Sequence, residues 1–75
     1  MPGEIEHIQH LERRVIEECE ELAATISRAH LYGYMNRHPK HDNLRGWECV
    51  LWQIMVVCKV GKKLEKSLRK EFIKT

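Results

Sequence analysis

Four carboxylates fall within six residues at Glu17-Glu18-Cys19-Glu20-Glu21-Leu22. Oxygen donors of this kind are what a hard divalent cation takes as ligands. On a helix, residues three and four apart share a face, so Glu18 neighbours Glu21, and Glu17 neighbours Glu20 and Glu21. Like charges at that spacing repel by a few tenths of a kcal/mol per pair, which water or a bound cation relieves. A solvated acidic face is the plain alternative and needs no ligand.

The remaining reactive residues are scattered. His7 and His10 stand three apart, as do His38 and His41. Such pairs suit zinc, with Cys19, Cys49 or Cys58 completing a site. The three cysteines contain no CxxC pair and are expected as reduced, mostly buried thiols of a cytoplasmic protein. No histidine stands in helical register with a cysteine, which argues against a Cys–His nucleophile.

The elements that position these residues are helical. Apolar residues recur at Ile5, Ile8, Leu11, Val15, Cys19, Leu22, Ile26 and Ala29. Steps of three and four predict one helix of about 30 residues, opened by Pro2-Gly3 and about 45 Å long. It should fail around Gly33 to Asn36, since Pro39 follows. Asp42 or Asn43 would cap a second helix. The second stripe runs Leu44, Trp47, Leu51, Ile54, Cys58, Gly61, Leu64 or Glu65, Leu68 and Phe72. A break at Gly61, giving a third helix from about Lys62, is the alternative to one continuous helix.

These 75 residues make a single all-helical domain, 1–75, of all-α class and without strands. The polar N-terminus lacks the apolar segment of a signal peptide, and the apolar run Val50 to Cys58 is too short for a membrane. A net charge of +2 is too small to argue for nucleic acid, and none is expected as a partner. Residues 1–30 hold seven acids against three bases, and residues 59–75 hold seven bases against two acids. An antiparallel hairpin would lay the acidic start beside the basic end.

Between Trp47 and Cys58 the second helix is apolar on most faces, so it should be covered on most faces. A two-helix hairpin cannot do that alone. The expectation is a homo-oligomer, a dimeric four-helix-type bundle or a tetramer, with Trp47, Leu51, Trp52 and Met55 at the interface.

The acidic stretch resembles the EExxEL signature of the MazG-like all-α nucleoside triphosphate pyrophosphohydrolases. Ala24-Thr25-Ile26-Ser27-Arg28-Ala29-His30-Leu31-Tyr32-Gly33 is similar to the family's A-I-x-K-A-x-R-x-G stretch, and His38-Pro39 with Asp42-Asn43 resembles its following loop. The resemblance covers about residues 11–60. It implies a helical bundle whose Glu17, Glu18 and Glu21 hold Mg²⁺ against a nucleoside triphosphate, with pyrophosphate released. Lys59, Lys62 and Lys63 are the candidates to reach the phosphates. The family's second motif, ExxD, is absent. Aligned through Asn43, its positions fall on Gln53-Ile54-Met55-Val56; a register through Glu48 ends at Leu51 instead. The expectation is therefore a MazG-like protein that binds Mg-nucleotide with weak or lost hydrolysis. The alternative is a non-catalytic helical module for oligomerisation or protein interaction.

Overall fold

The computed structural model describes residues 2–38 and 44–73, without the side chains of Pro2 and His38. Helix α1 spans Pro2–Tyr32 and helix α2 spans Gly46–Phe72. They run antiparallel as a hairpin with extents of 48 × 20 × 18 Å. The class is all-α, and α2 continues unbroken through Gly61.

A methyl group added at Gly61 meets nothing within 4 Å. Gly61→Ala should therefore raise stability by about 1 kcal/mol, the helix-propensity difference, read as a shift in the denaturant midpoint. A loss of stability would mark Gly61 as a point of close approach for another helix.

Seam positions on α1 are Ile8, Leu11, Val15, Glu18, Leu22, Thr25 and Ala29, all buried or half-buried. Their partners on α2 are Val50, Gln53, Val57, Val60, Leu64, Ser67 and Glu71. Both series step by three and four in strict alternation, the heptad spacing that keeps two helices in contact along their length.

The seam differs from the stripes expected of the sequence. Cys19 and Ile26 yield to Glu18 and Thr25, while Trp47, Leu51, Ile54 and Cys58 lie exposed. The seam mixes small and large side chains, with Thr25, Ala29, Val57 and Val60 beside Ile8, Leu11, Leu22 and Leu64. The core is thin: among the described residues no large side chain is fully buried.

The connection is tighter than a plain loop. Gly33 ends α1 with φ +92°, the left-handed region that favours glycine, and its N–H donates to the Ala29 carbonyl at 2.9 Å. The Asn36 side-chain amide donates to the Tyr32 carbonyl, covering a second free acceptor of the helix end. Strand β1 (Arg37–His38) then pairs antiparallel with strand β2 (Leu44–Arg45), Arg37 opposite Arg45 and His38 opposite Leu44. Periodicity offered no sign of this two-residue ladder, which satisfies the backbone where the chain reverses.

Helix α2 starts later than expected, at Gly46, with Arg45 as the capping residue. The expected caps Asp42 and Asn43 lie outside the described residues. Glu48, three residues into the helix, accepts the Arg45 backbone N–H at 3.0 Å. Gly46 N–H donates to the Asn36 carbonyl and Trp47 N–H to the Tyr34 carbonyl, both at 3.0 Å.

Candidate functional site

The acidic turn sits mid-way along α1, and its carboxylates diverge. Glu17 and Glu20 are exposed and Glu18 is half-buried at the seam. Glu21 is engaged: Arg28, two turns on, donates to its carboxylate at 3.0 Å. The same guanidinium donates to the Thr25 hydroxyl at 3.2 Å, and that hydroxyl donates to the Glu21 carbonyl at 2.8 Å. An exposed pair of this kind contributes about 0.2–1 kcal/mol. Its chemical effect is larger, because a guanidinium holds the position where a cation would bind.

Gln53 occupies the first position of the missing ExxD motif. It is buried, at 8% exposure, and its side-chain amide donates to the Glu18 carbonyl at 3.2 Å. At this height the two helices are joined across the seam by that bond. What meets the acidic helix is an amide donor and not a carboxylate ligand. Val56 is aliphatic and half-buried. Glu48, the glutamate of the other register, is spent on capping α2.

Among the described residues, no group of three or more histidine, cysteine, aspartate or glutamate side chains gathers to hold a metal ion. His7 and His10 are both exposed on α1; the His38 side chain and His41 lie outside the described residues. Lys59, Lys62 and Lys63 are exposed. The donor set Glu17, Glu18 and Glu21 does not fit a resident Mg²⁺ in this arrangement. One carboxylate faces water, one stands at the seam, and one is held by arginine.

Beside the turn, a groove of about 650 Å³ is lined by Glu21, Arg28, Arg37, Cys49, Trp52 and Gln53 among others. Arg28 and Gln53 escaped the sequence reading as site residues. A signal for Arg28 was present, since residues seven apart return to one helix face.

The hairpin has two unlike broad sides. At 100° per residue, Glu17, Glu21, Arg28, Cys49, Trp52, Lys59 and Lys63 fall on the side of the groove. Ile5, Ile16, Cys19 and Ile26 of α1 fall on the other, with Trp47, Leu51, Ile54, Cys58, Leu68 and Phe72 of α2. In an antiparallel pair these two sets share one surface. Much of it is exposed, Ile16 at 57%, Leu51 at 51% and Phe72 at 66%. Trp52 and Met55, at 61% and 56%, point away from it. Cys19 and Cys58 are exposed and Cys49 half-buried, all three free, so the expected burial of the thiols is corrected. The reason is their position beside the seam and not within it.

No family model, curated protein or solved structure matches the chain. Its function has to be read from these two surfaces. Among the described residues no helix is long and apolar enough to cross a membrane.

Proposed function

We propose that the chain is a self-assembling helical hairpin, a non-catalytic module in which two copies meet through the apolar side to form a four-helix bundle. The observation that carries this reading is surface area. The chain exposes 6077 Å², whereas a compact monomer of 9.0 kDa would expose about 4,900 Å² by the usual scaling with mass. The excess, roughly 1,200 Å² per chain, is of the size that a lasting dimer interface hides on each partner. A radius of gyration of 15.9 Å against about 11 Å for a compact chain of this length supports the same conclusion. Light scattering at micromolar concentration tests it, and a stable folded monomer would refute it.

The groove favours a second reading, weak binding of a Mg-nucleoside triphosphate by a MazG-like hairpin. Here the metal would arrive on the phosphates, Trp52 would offer a ring face, and Arg28 and Arg37 would offer guanidinium donors. Lys59, Lys62 and Lys63 stand on α2 as further cations for the phosphates. Hydrolysis is expected to be near background, because positioning of the attacking water carries most of such catalysis and, among the described residues, no second acidic group faces the turn. The measurement is pyrophosphate release from ribo- and deoxynucleoside triphosphates with Mg²⁺ or Mn²⁺. Rapid turnover that Glu18→Gln abolishes would restore the enzyme reading.

A further inference from the structure

We propose that the exposed thiols of Cys19 and Cys58 lie at the contact between two copies of the chain, and that peroxide joins Cys58 of one copy to Cys19 or Cys58 of the other as an intersubunit disulfide. The inference rests on the dimer reading above. Both thiols are free and exposed, and both stand on the apolar side that would meet the second copy.

Their heights along the hairpin matter most. Helix Pro2–Tyr32 has its midpoint at residue 17, and helix Gly46–Phe72 at residue 59. Cys19 is two residues from its midpoint and Cys58 one, or about 3 Å and 1.5 Å along the axis. A symmetric dimer that covers this side along its whole length has its two-fold axis either along the helices or across them near mid-height. Residues beside such an axis meet the same surface patch of the second copy.

Two orientations satisfy this condition. If the axis runs along the helices, heights are kept and α1 lies over α2 of the second copy; Cys19 then meets the second copy's Cys58. If the axis runs across the helices, heights invert about the midpoint and each helix lies over its own mate; Cys58 then meets Cys58. In both, a thiol of one copy falls within one helical turn of a thiol of the other. Cys49 is set apart on the groove side, its thiol directed at the Leu44 carbonyl at 4.0 Å.

The chemistry balances with hydrogen peroxide as oxidant. A thiolate attacks one peroxide oxygen, giving a sulfenic acid and hydroxide. The thiolate of the second copy attacks that sulfur, forms the S–S bond and expels a second hydroxide. With the two thiol protons, the hydroxides leave as two waters, and the sulfur pair has lost two electrons.

The test uses the full chain. Light scattering in a phosphine reductant first gives the assembly state without any covalent link. Stoichiometric peroxide follows, with non-reducing electrophoresis and intact mass on the native protein and on Cys19→Ser, Cys58→Ser and Cys49→Ser. The expected result is a dimer under reduction and a covalent dimer, two hydrogens lighter per bond, after peroxide. Cys49→Ser should cross-link fully. Loss in both Cys19→Ser and Cys58→Ser assigns the axis along the helices; retention in Cys19→Ser and loss or a marked fall in Cys58→Ser assigns it across them. Alanine variants at the same sites separate loss of the thiol from any loss of fold, judged by circular dichroism. A reduced dimer that never cross-links, or a link that needs Cys49, overturns the thiol contact and leaves the dimer intact. A reduced monomer overturns both.

Discussion

Ile54→Glu should turn the assembled protein into monomers. Ile54 is 42% exposed in the single hairpin and lies outside the seam, so the substitution leaves the α1–α2 contact alone. In the proposed bundle it would bury an unpaired carboxylate, and symmetry makes it do so twice. Removing a charge from water without a partner costs several kcal/mol, and each 1.4 kcal/mol is tenfold in affinity. A rise of at least about 100-fold in the dissociation constant follows, measured by light scattering across a dilution series. Trp52→Glu, on the groove side, should leave the assembly unchanged, and comparison of the two identifies the side in use. A dimer of unchanged affinity in Ile54→Glu would show that the apolar side is not the interface.

The second large effect is expected at Gly46. A methyl group there would stand 2.7 Å from the Gly33 carbonyl oxygen and 3.0 Å from the Tyr34 Cα. Both are backbone atoms held by the turn, and neither can swing aside as a side-chain end would. Gly46→Ala should cost about 1–3 kcal/mol through overpacking. For a domain this small that is a fall of roughly 4–8 °C in melting temperature per kcal/mol. The contrast with Gly61→Ala, where the added methyl group meets open space, separates packing from propensity within one helix. An unchanged midpoint in Gly46→Ala would mean that the turn can relax.

Which parts of this fold were legible in the sequence follows from what each signal measures. The three-four spacing from Ile5 to Ala29 and the stop at Gly33 report backbone preferences, and α1 ends at Tyr32 accordingly. The run through Gly61 was legible only in part: the spacing carries on across it, but glycine left a break open, and the helix continues to Phe72. The seam was not legible. From Trp47 to Cys58 the second helix is apolar nearly all round, so hydrophobicity leaves its rotation open, and only the folded pair shows Gln53, Val57 and Val60 at the seam. The acidic turn was legible as a cluster of charge. Its surroundings were not, because Arg28 binds Glu21 through folding of one helix and Gln53 reaches Glu18 only across two.

That Gln53 bond also bears on motion. A buried amide donor with one acceptor across the seam acts as an index mark between the helices. Sliding α1 along α2 by about half a turn, roughly 2.7 Å, would carry the Glu18 carbonyl out of reach before the carbonyl of the next turn came within it. An unsatisfied buried donor costs about 1–3 kcal/mol, a population penalty of roughly five- to more than a hundredfold. Rolling of one helix about its own axis would break the same bond. Within the hairpin, α1 and α2 are keyed to each other in height and rotation at Gln53.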